Sequence, residues 1–295
     1  MSKTISDKKP RDTLLNGAES VYDLNDLVYL MSRLRNPKHG CPWDLKQSYE
    51  TIVPSTLEEV YEVVDAIERK DYDHLKEELG DLLFQIVFYT QLASEEERFT
   101  LNDVIHSLTS KLIRRHPHVF PDGTLFSMLD DKTTQNNTDQ IQKIKANWEK
   151  IKEDERSNKG LGGILDDVPL ALTSMNRAAK LQKRASRVGF DWSNIDDVFK
   201  KIDEEISELK EAIAASSKEN IQEELGDLLF TCVNLARHLN LDADQSLRYC
   251  NSKFETRIRA IEKALSQQNL TWESQSEAEL DLLWEEAKKA GRNPS

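Results

Sequence analysis

Apolar residues recur along this chain at spacings of three and four. Leu24, Leu27, Val28, Met31 and Leu34 fall on one stripe of a helix that begins near Tyr22. The same period predicts helices over about Ser55–Arg69, His74–Ser94, Leu101–His116 and Ile141–Glu155. It resumes over about Pro169–Arg187 and roughly residues 195–215, 218–239, 242–267 and 276–290. Alternating, β-branched runs are missing, so no strand is expected. Turn-forming residues sit between the periodic segments. Pro37, Gly40 and Pro42 make a loop that ends in Cys41-Pro42-Trp43-Asp44, and Lys70–His74 is a short turn. Pro121–Gln140 reads as a loop, and Val188-Gly189-Phe190-Asp191-Trp192 as a second, Cys-Pro-Trp-Asp-like one. The pattern predicts an all-α protein.

Polar positions within two of these helix pairs repeat. Glu58-Glu59-Val60-Tyr61-Glu62 is followed by Glu78-Leu79-Gly80-Asp81, and Glu204-Glu205-Ile206-Ser207-Glu208 by Glu224-Leu225-Gly226-Asp227. One offset of 146 positions maps each acidic residue of the first copy onto the second without a gap. Internal spacing kept through a duplication marks a repeated structural unit. The expected organisation is a disordered tail over 1–20, a first repeat over 21–156, a linker over 157–165 and a second repeat over 166–295. Each repeat is a helical bundle.

Composition narrows the classes. The 295 residues carry a net charge of −13, with 38% hydrophobic and 32% charged residues and only 10 glycines and 8 prolines. Scarce helix breakers agree with an all-α chain. No strongly basic domain stands out, so nucleic acid is not expected as a ligand. Cys41, Cys232 and Cys250 are odd in number and far apart, which fits reduced thiols rather than a disulfide framework. Met1–Pro10 is polar and lacks the apolar core of a leader, and no run is long enough to span a bilayer. The cytoplasm is the expected location.

The repeated carboxylates carry the chemistry. Residues three or four apart on a helix share a face. Glu205 with Glu208, and Glu224 with Asp227, are such pairs, and an antiparallel hairpin would bring four carboxylates across one gap. So many like charges do not stay ionised together without a counterion. Mg²⁺ or Mn²⁺ fits, with oxygen ligands at about 2.0–2.1 Å for Mg²⁺. Glu59, Glu62, Glu78 and Asp81 offer a second set. Asp81 and Asp227 sit inside apolar runs, Leu79–Val87 and Leu225–Val233, so both are expected to be partly buried. Lys253 and Arg257 lie one turn apart after the second hairpin, as do Lys111 and Arg115 after the first. Trp284 precedes Lys288, and Trp148 precedes Lys152, by one turn. Each tryptophan could stack a base above a phosphate-binding lysine, or could anchor a core. His116-Pro117-His118 is expected to pack a loop, since i, i+2 rings across a proline do not share a helix face. The chain has no Gly-rich phosphate loop and no nucleophile elbow.

Taken together, Gly40-Cys41-Pro42-Trp43-Asp44, the two acidic pairs, Arg114-Arg115-His116-Pro117-His118-Val119-Phe120 and Val188-Gly189-Phe190-Asp191-Trp192 resemble the MazG family. That family comprises bacterial nucleoside triphosphate pyrophosphohydrolases with two tandem repeats, and the resemblance covers about residues 20–290. The acidic pattern alone is shared with dimeric dUTPases and phosphoribosyl-ATP pyrophosphohydrolases. The resemblance implies an all-α fold, a homodimer, Mg²⁺ dependence and hydrolysis of NTPs and dNTPs to the monophosphate and pyrophosphate. It puts metal ligands at Glu205, Glu208, Glu224 and Asp227, and phosphate and base contacts at Lys253, Arg257, Trp284 and Lys288. The first repeat departs after its hairpin: Asp81 to Lys111 is 30 positions, Asp227 to Lys253 only 26.

The expected reaction is attack of water on the α-phosphorus, with Glu204 or Glu205 holding the water and Lys253, Arg257 and Lys288 meeting the leaving phosphates. The second repeat is expected to carry most turnover. Two rivals stand beside this reading. One is a non-catalytic nucleotide-sensing or partner-binding helical module. The other is an enzyme for a single nucleotide such as dUTP. Product analysis separates all three.

Overall fold

The computed structural model describes residues 21–128, 138–158, 160 and 162–290. The expected tail at 1–20 and part of the 157–165 linker lie outside the described residues. Within them the chain forms ten α-helices and no strand. The helices are α1 (Leu24–Leu34), α2 (Tyr49–Arg69), α3 (Tyr72–Glu95), α4 (Leu101–Arg115) and α5 (Thr138–Asn158), then α6 (Ser174–Ser186), α7 (Ile195–Ala214), α8 (Lys218–His238), α9 (Ala243–Gln267) and α10 (Glu277–Ala290). The chain divides into two compact units after Glu149, and each holds one acidic hairpin: α2–α3 in the first, α7–α8 in the second.

The hairpin turns are copies. Lys70 and Ser216, one offset apart, both adopt the left-handed conformation, with φ of 58° and 56°. The next residues, Asp71 and Ser217, cap the second helix of each pair. Their side chains accept the backbone N–H of His74 at 3.1 Å and of Asn220 at 3.3 Å. Copied turns fix a copied register, so the acidic positions meet in the same way in both units.

The repeats diverge beyond the hairpins. α3 has 24 residues and α8 has 21. The links that follow are residues 96–100 and 239–242. The four-residue difference in spacing is therefore three helix residues plus one link residue, taken out far from the carboxylates. Three residues turn a helix by about 300°, so the next helix departs from a face about 60° away.

Three helix starts differ from the periodicity by three residues or more, among them α5, which begins at Thr138 inside the expected Pro121–Gln140 loop rather than at Ile141. α2 begins at Tyr49, ahead of the expected Ser55, because Ser48 and Thr51 form a capping box. Pro54 then falls inside the helix, where it forfeits the bond to the carbonyl of Glu50. α6 begins at Ser174, behind the expected Pro169. Asp167 is left-handed (φ 63°) and Pro169 follows it, which keeps this stretch irregular. Two 3₁₀ turns, Asp44–Lys46 and Trp272–Ser274, are too short to show a period.

Each unit has its own core. In the first, Met31, Ile52, Val87, Phe88 and Leu92 pack α1 and α2 onto α3. Tyr49 stacks on Tyr89 at 6.2 Å, and Phe84 meets Phe88 edge-on at 5.9 Å. In the second, Ile261, Leu265 and Ala287, with Leu283 and Trp284, join α9 to α10. Ion pairs then tie the leading segment of each unit to the far end of its hairpin. Buried Arg35, at the end of α1, holds Glu95 of α3 with Nε–Oε1 at 2.9 Å and Nη2–Oε2 at 2.7 Å, and donates to the Asp44 carbonyl. In the second unit Asp191, in the loop before α7, accepts from Arg237 and lies 3.1 Å from His238 Nε2, both on α8.

Candidate functional site

The hairpins bring carboxylates together twice. One oxygen each from Glu59, Glu78 and Asp81 lie within 4.8 Å of one another, and so do oxygens from Glu205, Glu224 and Asp227. Octahedral oxygens about 2.1 Å from a shared Mg²⁺ span about 4.2 Å when opposite, so these groups need only a small contraction. An all-carboxylate donor set suits a hard divalent cation and does not suit a thiophilic one. Glu62 and Glu208 stand outside these groups of three and are exposed. Their charges still act on the sites.

Burial and like charge make the groups costly without a cation. Burial, then the charge of Asp81, pushes the Glu59 carboxyl up. Burial, then the charge of Glu62, does the same to Glu78. Glu224 is raised by burial and then by Glu208, Glu205 and Asp227.

Which carboxylates are buried differs from the expectation. Asp81 and Asp227 are exposed, whereas Glu78 and Glu205 are buried, at 6% and 3%. The reason lies in the flanking leucines. Leu79, Leu83, Leu225 and Leu229 are themselves exposed, so the apolar runs around the aspartates do not cover them. The glutamates instead face the partner helix of the hairpin. Gly80 and Gly226, beside the aspartates, would place a Cβ in open space.

Three supporting residues escaped the sequence reading. Lys201 Nζ lies 2.8 Å from Glu204 Oε1 and 2.8 Å from Glu205 Oε1. The hydrogen bonds it donates to Glu204 and Glu205 raise its pKa above the ordinary lysine value. In the first unit, His74 Nε2 lies 3.2 Å from Glu78 Oε1, and the Gln85 amide donates to Glu59 at 3.3 Å. Lys201 and His74 each stand one turn ahead of a buried glutamate, a spacing that could have flagged them.

The basic and aromatic residues gather on α9 and α10. Lys253 Nζ lies 4.7 Å over the Tyr249 ring. Trp284 packs against the Ile261–Leu265–Ala287 cluster, with the Phe254 ring at 5.5 Å and the Arg257 guanidinium over its face at 5.2 Å. Lys288 pairs with Glu285 at 2.7 Å. Among the described residues, Lys253, Arg257 and Lys288 form no ion pair with either carboxylate group. In the first unit the Trp148 ring meets His116 edge-on at 4.9 Å, and His118 lies 5.6 Å from His116. His116 Nδ1 is 2.6 Å from the Leu112 carbonyl, so this histidine packs the end of α4. The three cysteines are free. No helix among the described residues is long and apolar enough to cross a membrane.

The profile of the MazG nucleotide pyrophosphohydrolase domain matches the chain twice, over residues 47–120 and 194–261. Each match contains one acidic hairpin. A nucleoside triphosphate pyrophosphohydrolase of Escherichia coli K12 is 43% identical over 270 residues, which cover 90% of this chain and 97% of that protein. A nucleoside triphosphate pyrophosphohydrolase/pyrophosphatase MazG of Thermotoga maritima is 41% identical over 263 residues, covering 89% of this chain and 94% of the relative.

Proposed function

The chain belongs to the MazG nucleotide pyrophosphohydrolase family, and on that premise we propose that it hydrolyses nucleoside and deoxynucleoside triphosphates to the monophosphate and pyrophosphate. The observation that carries the reading is the second carboxylate group, Glu205, Glu224 and Asp227, gathered within 4.8 Å across α7 and α8. These residues, with Glu208 beside them, would hold Mg²⁺ or Mn²⁺. Bound there, the cation supplies charge neutralisation for the triphosphate oxygens.

The protein's own groups do the rest. Glu204, exposed at the mouth of the group, holds a water and accepts its proton as the water attacks the α-phosphorus. The bond from the α-phosphorus to its bridging oxygen breaks, and pyrophosphate departs. Lys253, Arg257 and Lys288 meet the charge that builds on the leaving group. Trp284 offers an aromatic face for the base. The sequence carries no feature that selects uracil, which favours a broad substrate range. The second unit carries most turnover in this reading, since Lys253, Arg257, Trp284 and Lys288 follow its hairpin in regular helical continuation on α9 and α10. The working form is a homodimer that covers the exposed leucines of the hairpins.

The test is product analysis with Mg²⁺ present and then chelated. Monophosphate and pyrophosphate from many (d)NTPs are expected, and only with the metal. A diphosphate with inorganic phosphate would place attack at the γ-phosphorus. Binding without turnover would leave a nucleotide-sensing module.

A further inference from the structure

The two acidic hairpins share their carboxylates but not the lysine that faces them in the second. Lys201 sits on α7 one turn before Glu205 and reaches two carboxylates at 2.8 Å each. One of them, Glu205, is the buried member of the second group. Shifted back by the repeat offset, the Lys201 position is Ser55, which brings no charge. There Glu59 accepts from the neutral amide of Gln85, and Glu78 lies 3.2 Å from the His74 ring.

A buried carboxylate among like charges is expensive unless a cation faces it. An ammonium is a compact point charge with three donors on a flexible stem. It can serve that carboxylate and can also withdraw from it. A divalent ion at the second group needs the Glu205 carboxylate that Lys201 engages. The two cations therefore draw on the same ligand.

We propose that Lys201 is a built-in competitor for the divalent cation at the second site: it neutralises Glu205 in the metal-free protein and releases it when the metal binds. This rests on the metal-site reading given above. It makes the second site weaker for metal than its carboxylates alone would be. It also keeps the metal-free second hairpin folded against its own charge.

The experiment uses the full chain with the first site disabled by Glu59→Gln and Glu78→Gln, titrated with Mn²⁺ by calorimetry. Adding Lys201→Met should tighten Mn²⁺ binding about two- to fivefold, the scale of one lost ion pair. Lys201→Arg, which keeps the charge, should bind close to the parent. Without metal, Lys201→Met should melt below the parent, and the gap should close as Mn²⁺ is added, because the ion and the ammonium do the same work. Unchanged or weaker Mn²⁺ binding in Lys201→Met, or a melting gap that Mn²⁺ does not alter, would mean that Lys201 only braces the helix. Should Lys201→Met not fold, Lys201→Gln takes its place with the same expectations. A parent that binds no Mn²⁺ would remove the metal site itself and this proposal with it.

Discussion

The guanidinium of Arg257 lies 5.2 Å over the ring of Trp284, which joins α9 to α10. One face of the indole thus carries a cation while the side chain also packs against Ile261, Leu265 and Ala287. Packing and ligand contact need not compete for this side chain. Trp284→Ala should cost about 2–4 kcal/mol of stability, somewhat less than a fully buried tryptophan, and should also weaken substrate binding. Trp284→Phe keeps much of the packing and should raise KM several-fold with little change in melting temperature. Denaturation and steady-state kinetics on both variants check this. An unchanged KM in Trp284→Phe would leave the residue as a core anchor alone.

Glu224→Gln keeps the size of the side chain and removes a charge from the second carboxylate group. It should lower kcat by about 10²-fold or more, since the phosphates and the attacking water need one fixed geometry. Glu78→Gln should cost only a few-fold. Equal losses, or a larger loss from Glu78→Gln with unchanged circular dichroism, would shift the main activity to the first unit.

The same substitution has an opposite effect on stability. Burial and then the charges of Glu208, Glu205 and Asp227 raise the Glu224 pKa. The stability tied to this group is present below its ordinary value of 4.5 and is lost as pH rises through the raised value. Metal-free Glu224→Gln should therefore match wild type below pH 4.5 and melt above it at neutral pH. Excess Mg²⁺ should remove the advantage. A variant that melts below wild type at neutral pH without metal would contradict the electrostatic account.

Asp191 works in the other direction. Burial pushes its carboxyl up, but the hydrogen bonds from Arg237 and then His238 outweigh it and hold the pKa below 3.8. Its contribution is present above pH 3.8 and is lost as pH falls through the depressed value. Asp191→Asn should cost about 1 kcal/mol at neutral pH, and the difference should vanish in strong acid. Urea titrations at several pH values measure it. A gap independent of pH would show that charge is not the source.

Leu79 and Leu83, with Leu225 and Leu229 at the same offset, leave an apolar stripe uncovered on each hairpin. Light scattering should give a homodimer of about 68 kDa, twice the 33.9 kDa chain. A mass of one chain at micromolar concentration would refute the assembly.

The hairpins and their carboxylates were legible because a helix period and a duplicated spacing are both local signals. The offset even carried the left-handed turn residues Lys70 and Ser216, although nothing in either residue type announces that conformation. Burial was not legible. The apolar neighbours of Asp81 and Asp227 pointed inward on paper, yet those leucines face out of the single chain, and the buried acids are Glu78 and Glu205. The start of α2 was masked by Pro54, whose effect the Ser48–Thr51 cap outweighs. The Arg35–Glu95 pair spans 60 positions and could not be read from any window.

The ion pairs that tie each leading segment to its hairpin have reversed polarity. In the first unit the leading segment brings the cation and α3 the anion; in the second the loop brings the anion and α8 the cations. At the offset of 146 positions Glu95 falls on Leu241 and Arg237 on Gln91, so neither charge recurs at the matching place in the other hairpin. A hairpin packed against the other unit's leading segment would leave Arg35 and Asp191 each without the opposite charge it now holds.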